Sequence, residues 1–199
     1  NVNITPDINV INGGTGKKLS ISGGKFSTVE YSDDGAEIEI NNSPTISTLQ
    51  ITAPDGTLTI DGTPSVTSSI SLNGSSGHYL YISGNGSLNY TSIENNAGSF
   101  LNFESDSKPD VTGGGKLKVS DSKAENDFPP PGWVYGDLFI WRGSTNTDWT
   151  DLSNWIATEL PNASSSVLIP SGLTKYPVLS GNVSVKGLTI KNGASISGG

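Results

Sequence analysis

The stretch that decides the fold runs from Glu37 to Leu72 and reads EIEINNSPTISTLQITAPDGTLTIDGTPSVTSSISL. Within it, apolar and polar residues alternate in short segments, as they do in β-strands that are buried on one face. Asx-Gly turns such as Asp55-Gly56 and Asp61-Gly62 separate the segments, because glycine adopts a positive φ at little cost. The pattern predicts short strands about ten residues apart, with the apolar pairs Ile38/Ile40, Leu49/Ile51, Leu58/Ile60 and Ile70/Leu72.

The same alternation continues on both sides of this stretch. Its further apolar pairs are Leu19/Ile21, Val29/Tyr31, Leu80/Ile82, Leu88/Tyr90, Leu101/Phe103 and Leu117/Val119. Pairs three strands apart recur at a steady interval, which predicts coils of three strands and about 30 residues. Stacked coils bury the inward side chains that a single coil leaves exposed. We therefore predict an all-β chain that begins as a parallel β-helix. The same strand spacing and turns also suit an antiparallel β-sandwich, which is the alternative fold.

The repeating pattern stops before a proline run, Phe128-Pro129-Pro130-Pro131-Gly132. Proline lacks the N–H that a strand donates to its neighbour, so the run interrupts the stack. The sequence predicts solenoid coils over residues 1–127, a stiff Pro-rich connector over 128–138, and a Trp-rich module over 139–199 that leads into a further solenoid. Because the pattern is still in progress at residues 196–199, we expect more coils or another subunit to cover that edge.

Composition restricts the partners and the chemistry. The chain has no cysteine, which excludes disulfides and thiolate metal sites. Its formal charge is −8, with 19 acidic against 11 basic residues, so it lacks the basic stripe that nucleic acid or an anionic membrane requires. It contains no apolar stretch long enough for a transmembrane helix, so we expect no direct membrane insertion. His78, the single histidine, rules out a His-rich metal site and is expected at a turn beside Gly77.

Some parallel β-helices are polysaccharide lyases or hydrolases, so the acidic residues need an explanation. Glycoside hydrolysis requires two carboxylates placed on either side of the bond that breaks. The acids here lie mostly in or beside turns, where backbone geometry accounts for them, and we predict no enzyme. No cofactor is expected. Calcium is the one ion for which hard oxygen ligands are at hand, in the pairs Asp33/Asp34, Asp106/Asp110 and Asp148/Asp151.

Residues 139–199 carry tryptophans in a distinctive order. The segment contains Trp141-Arg142-Gly143, Trp149, Ser153-Asn154-Trp155, Val167-Leu168-Ile169-Pro170 and Leu188-Thr189-Ile190-Lys191-Asn192-Gly193-Ala194. Throughout this segment the order resembles the W-x-G…W…N-W…V-x-I-P module of large secreted β-solenoid surface proteins of Bacteroidota. It departs from that pattern at Ser164–Ser166, where many such sequences have an aspartate. The resemblance implies export, often by the type IX secretion system, and adhesin-like display outside the outer membrane; it implies no catalysis.

Trp141, Trp149 and Trp155 are the candidate site residues, and two interpretations apply to them. They cap the solenoid or fill a small core, or they form a platform on which sugar rings stack. We predict a non-catalytic structural or adhesive module of a large secreted or cell-surface protein, with an extracellular glycan or protein as its partner. A carbohydrate-binding surface module and, less well supported, a β-helical polysaccharide-degrading enzyme are the alternatives. Exposed coplanar tryptophans would favour the first alternative, and a cleft with two close carboxylates the second.

Overall fold

A computed structural model describes residues 8–11, 18–103, 107–124, 128–136 and 138–198 of this chain. The chain divides into two compact units, Asn1–Trp133 and Val134–Gly199. The division falls inside the segment 128–138 that was predicted as a connector. No helix among the described residues is long and apolar enough to cross a membrane.

Two parallel sheets build the first unit. The larger sheet contains, in spatial order, β1 (Ile8–Ile11), β3 (Lys25–Ser32), β5 (Thr45–Thr52), β7 (Ser65–Asn73), β10 (Ile93–Ser99) and β13 (Lys116–Ser120), with β9 (Ser87–Asn89) and β12 (Asp110–Thr112) beside them. The smaller sheet contains β2 (Lys18–Ile21), β4 (Glu37–Ile40), β6 (Thr57–Ile60), β8 (Leu80–Ser83), β11 (Leu101–Phe103) and β14 (Lys123–Ala124). The strand β15 (Trp133–Tyr135) lies at the division between the units.

All these paired strands run parallel, with each strand of one coil beside its counterpart in the next coil. The chain is therefore an all-β parallel β-solenoid, as predicted. The antiparallel sandwich is excluded, because its neighbouring strands would run in opposite directions.

The coils are shorter than the sequence analysis predicted. In the smaller sheet, Leu19 lies beside Ile38, and Ile38 lies beside Leu58, so each strand pairs with the second strand along the chain and not with the third. Leu58 then pairs with Ile82, a wider step, because the turn between β7 and β8 is longer. The predicted coil of three strands is wrong: each coil has two strands and about 20 residues, at the short end of the range for solenoid repeats.

The error has a physical origin in the middle of each coil. The strands β3, β5 and β7 are long. The second half of each contributes an apolar pair, and the first half contributes a single inward residue. Ile46 and Val66 are two of these, 0% and 2% exposed. A single apolar residue does not form the alternating pair that signals a strand. Each coil thus shows two apolar pairs in its sequence. The predicted coil contains three successive pairs and is therefore too long by one pair.

The interior consists of apolar columns that run from coil to coil. Ile38 stacks on Leu58 and Ile40 on Ile60, and all four are 0% exposed. Burial of each such side chain contributes roughly 1.5–3 kcal/mol.

Glycines allow the coils to approach closely. A Cβ on Gly62 would lie 1.7 Å from the carbonyl oxygen of Asn42 in the neighbouring coil. The glycine in this Asp-Gly turn is therefore required by packing. Gly35, by contrast, has a φ of 66°, the positive value for which the sequence analysis expects glycine in these turns.

The second unit also stacks parallel strands. Its four-stranded sheet has the order β17 (Trp155–Ile156), β16 (Leu138–Trp141), β18 (Ser166–Ile169) and β20 (Gly187–Ile190), in which only the edge strand β17 is antiparallel. A second, parallel pair joins β19 (Val178–Leu179) to β21 (Ser197–Gly198). A short 3-10 helix, Leu152–Asn154, precedes β17.

Candidate functional site: an aromatic patch on the smaller sheet

Three aromatic side chains project from the outer face of the smaller sheet. In β8, Leu80 and Ile82 point inward and are fully buried, so Tyr81 between them points outward. Tyr79 precedes the same strand and Phe100 precedes β11, and all three rings are partly exposed. We call Tyr79, Tyr81 and Phe100 the aromatic patch.

An enlarged turn places Tyr79 in the patch. The chain between β7 and β8 forms a small hairpin in which the N–H of Ser75 donates to the carbonyl of His78 (2.7 Å), and the N–H of His78 donates back (2.9 Å). Gly74 opens this turn, and a Cβ there would lie 2.6 Å from the carbonyl oxygens of both His78 and Phe100. The turn therefore needs glycine at this position, and its length explains the wider spacing between β6 and β8.

Phe100 alone connects β10 to β11, with a left-handed φ of 54°. A bulky residue rarely adopts this conformation, which costs of order 1–3 kcal/mol. Its backbone is held from both sides: its N–H donates to Ser120 (3.1 Å), and its carbonyl accepts from Leu80 (3.0 Å). The Tyr79 and Phe100 rings meet edge to face, with centroids 6.3 Å apart. The stacked coils thus hold the ring of Phe100 against Tyr79.

Two charged side chains beside the patch, Lys123 and Asp55, are paired with their neighbours. The ammonium of Lys123 lies 4.4 Å from the ring centroid of Tyr79. The Nδ1 atom of His78 lies 2.7 Å from Oδ2 of Asp55, and both side chains remain more than half exposed. His78 lies at a turn beside Gly77, as predicted.

Polar side chains adjoin the rings. The register places Tyr81 between Thr57 of β6 and Asn102 of β11, and Asn102 lies beside Lys123 of β14. Neighbouring strands are about 4.8 Å apart, so these four residues form one continuous row. The row offers a hydroxyl and an amide group on either side of a phenol, a combination that binds by stacking and by hydrogen bonds.

The predicted tryptophans lie elsewhere, in the core of the second unit. Trp141, Trp149 and Trp155 are 0%, 5% and 4% exposed. Trp155 packs edge to face against the other two, at centroid distances of 5.1 Å from Trp141 and 4.7 Å from Trp149. The indole N–H of Trp141 donates to the carbonyl of Lys175 (2.9 Å). Their burial favours the core-filling interpretation and leaves no exposed indole surface on which a sugar ring could stack.

Gly143 and Asn154 explain two further parts of the Trp-rich pattern. Gly143 has φ 59°, and a Cβ there would lie 2.3 Å from the carbonyl oxygen of Lys175, the acceptor of Trp141. Asn154 is 0% exposed, and its side-chain oxygen accepts the N–H groups of Thr145 and Asn146. Its amide group donates to the side chain of Asn146 and the carbonyl of Asp148. Asn154 thus organises the loop that places Trp149.

The acids proposed as calcium ligands in this loop have other partners. Asp148 accepts from the backbone and hydroxyl of Thr150, and Asp151 accepts from Ser153 and Asn146. The hydrogen bond from the Ser153 hydroxyl, with smaller contributions from the Ser153 and Asn146 N–H groups, lowers the pKa of Asp151. Asp106, proposed with Asp110, lies outside the described residues. Among the residues that are described, no three His, Asp or Glu side chains cluster as metal ligands do.

Trp133 is the one tryptophan that the sequence analysis did not consider. It is 1% exposed, packs edge to face on Phe103 at a centroid distance of 5.0 Å, and donates its indole N–H to Pro109 (2.9 Å). It therefore fills the interior of the last coil of the first unit.

No protein family, curated protein or solved structure matches this chain.

Proposed function

We propose that this chain is a non-catalytic structural or adhesive module of a large secreted or cell-surface protein, and that the aromatic patch is its contact with an extracellular partner. The observation that carries the proposal is the contrast between the patch and the rest of the wall. The rings of Tyr79 and Phe100 meet edge to face, and Tyr81 follows Tyr79 by two residues along the chain, whereas the other outward columns of the described coils consist largely of polar and charged residues.

The larger sheet illustrates that contrast. Its outward columns include Thr28, Thr48 and Ser69 side by side on successive coils. Another column contains Thr52, Asn73 and Ser99, in which the hydroxyl of Ser99 donates to Asn73 (3.3 Å). Such a wall is well solvated and offers little apolar area to a partner. A stack of coils that carries the aromatic patch among such polar columns suits a scaffold that projects a binding surface.

A catalytic interpretation of the patch is less well supported. His78 and Asp55 form the kind of pair that orients a catalytic base, in which the second ring nitrogen would accept a proton from a nucleophile. In the described part of the chain, the imidazole of His78 bonds only through Nδ1, to Asp55, and no hydroxyl is hydrogen-bonded to Nε2. The pair is also exposed to water, which weakens its electrostatic interaction.

The proposed location rests on the resemblance. The order Trp141-x-Gly143, Trp149 and Asn154-Trp155 is similar to that in secreted Bacteroidota surface proteins, and the absence of cysteine agrees with export. We therefore propose display outside the bacterial outer membrane, with further coils or subunits of the same protein as additional partners.

Adhesion can be measured with beads coated with the full chain, on surfaces carrying extracellular proteins or polysaccharides. We expect beads to be retained on at least one surface, and a triple variant with Tyr79→Ser, Tyr81→Thr and Phe100→Asn to lose most of that retention. Asparagine at position 100 removes the ring but tolerates the left-handed backbone. A matched double variant of the larger sheet, Thr28→Ala with Thr48→Ala, should be retained like the natural chain.

Two outcomes would contradict the proposal. The first is equal retention of the natural chain and of the triple variant on every surface. The second is turnover: release of reducing or unsaturated sugar ends from pectin, alginate, chitin or xylan that stops when one acidic residue is replaced. A carbohydrate-binding surface module is the second candidate function, because tyrosine and phenylalanine rings flanked by amide and hydroxyl groups favour a sugar ligand.

A further inference from the structure

We infer that the aromatic patch is a binding site for a neutral polysaccharide, which lies across strands β6, β8 and β11 of the smaller sheet. The inference rests on the proposed function and names the ligand class of the same surface. It follows from three properties of the patch: its rings, its polar margin and its charge.

The rings provide the apolar part of the site. A pyranose ring has an apolar face of C–H groups and a rim of hydroxyls, so it packs on an aromatic ring and hydrogen-bonds at its edge. Tyr81 lies in the middle of the sheet, Tyr79 precedes it by two residues, and the ring of Phe100 meets that of Tyr79 edge to face. Rings on two neighbouring strands offer contact to more than one sugar unit of a chain.

The polar margin matches the rim of a sugar. The hydroxyl of Thr57 and the amide of Asn102 occupy the strands on either side of Tyr81. Asn102 offers both a donor and an acceptor, and the hydroxyl of Thr57 can act as either. A sugar hydroxyl likewise donates and accepts, so each can bond to either residue without a change of charge.

The charge distribution indicates a neutral ligand. Among the described residues, Lys123 lies over the ring of Tyr79 and Asp55 is paired with His78, so these two charged groups beside the rings already have partners. A polyanion would have to draw Lys123 away from Tyr79 and approach a chain of net charge −8. A neutral chain requires neither change.

The site is also held in place before a ligand arrives. The backbone of Phe100 is bonded to the coils on both sides, and the turn that carries Tyr79 closes on itself between Ser75 and His78. A backbone that is already ordered loses less entropy on binding, which favours affinity.

The test is affinity electrophoresis of the full chain in gels containing glucomannan, laminarin or hydroxyethyl cellulose, with polygalacturonate and alginate as the anionic counterparts. We expect retardation by at least one neutral polymer, unchanged between low and high salt. Tyr81→Thr and Phe100→Asn should each raise the dissociation constant about tenfold. Thr28→Ala, on the larger sheet, should change it less than about twofold. Thermal unfolding of each variant confirms that it is folded.

Several results would overturn the inference. Retardation by the anionic polymers alone, lost with salt and with Lys123→Gln, would assign the patch to a polyanion. Retardation by a neutral polymer that survives both ring replacements would place the sugar site elsewhere. Adhesion to protein surfaces without retardation by any polysaccharide would contradict this inference and leave the proposed function standing. The absence of adhesion to every surface would contradict both.

Discussion

The ammonium of Lys123 lies 4.4 Å from the centre of the Tyr79 ring, although the two residues belong to coils that are separated by a third. Between them pass β11 and Phe100, whose ring meets Tyr79 edge to face. Two successive coils therefore carry the rings of the patch, and the next coil supplies the cation beside them. Such a surface exists only if the coils stack in the observed register, so the candidate site depends directly on the fold.

The interaction between Tyr79 and Lys123 can be measured by a double-mutant cycle. At an exposed position, a cation over an aromatic ring contributes about 0.5–1 kcal/mol. We expect Tyr79→Ser and Lys123→Gln to show a coupling of this size in the free energy of unfolding. Strictly additive effects would show that the two side chains do not interact in solution.

Gly143 should tolerate substitution less well than another glycine of the same conformation. Gly143 and Gly172 have φ values of 59° and 77°, but a Cβ at position 172 meets no atom within 4 Å. We expect Gly172→Ala to cost about 1–2 kcal/mol in unfolding free energy from backbone strain alone. Gly143→Ala should cost more, because its Cβ meets the carbonyl oxygen of Lys175. Equal costs in denaturant titrations would refute this account of the W-x-G order.

Asn154 should matter as much as an apolar core residue. Replacing it with alanine removes the buried side chain that bonds to Thr145, Asn146 and Asp148. Each hydrogen bond contributes about 0.5–1.5 kcal/mol, so the loss of these bonds in Asn154→Ala should destabilise the second unit by at least about 2 kcal/mol. The exposed Asn192→Ala serves as the matched control and should be close to neutral. A similar midpoint of unfolding for both variants would contradict the role assigned to Asn154.

Asp151 should make stability depend on pH. Its pKa is lower in the folded chain than in the unfolded chain, chiefly because the Ser153 hydroxyl donates to it. The stabilisation is therefore complete above the unfolded pKa of about 4 and disappears as the pH falls through the folded pKa. The natural chain should therefore be more stable than Asp151→Asn at neutral pH, and this difference in unfolding free energy should shrink as the pH falls below the unfolded pKa. In a Ser153→Ala background, the same comparison should depend less on pH. An advantage that stays constant with pH would argue against this prediction.

The sequence predicts the stacking of parallel strands but not the length of a coil. Alternation identifies inward pairs such as Leu58/Ile60, yet it cannot decide whether a strand pairs with the second or the third strand along the chain. A better signal lies in the turns: Pro44 and Pro64 occupy the same point of successive coils, where the N–H of Ser65 donates to the carbonyl of Pro44. Proline breaks the pattern at a fixed point of each of these coils, so its spacing reports the period directly.

The candidate site was only partly accessible to sequence reasoning. The alternation that marks Leu80 and Ile82 as inward also marks Tyr81 as outward, so an exposed tyrosine was predictable. Its neighbours Asn102 and Lys123 were not, because they follow from the coil length. The burial of Trp141 also depends on packing between segments distant in sequence, and no local pattern distinguishes a buried indole from an exposed one.

The central claim is that the short coil brings Tyr81 and Asn102 side by side on neighbouring strands. The chain has no cysteine, so a disulfide between two introduced cysteines tests the register without competing thiols. Neighbouring Cα atoms in a sheet lie within the range that a disulfide spans. Under mild oxidation, Tyr81→Cys with Asn102→Cys should form an intramolecular disulfide, detected by peptide mass spectrometry. Tyr81→Cys with Gln50→Cys, which the longer, three-stranded coil would place together, should remain reduced. A disulfide in the second pair and none in the first would contradict the account.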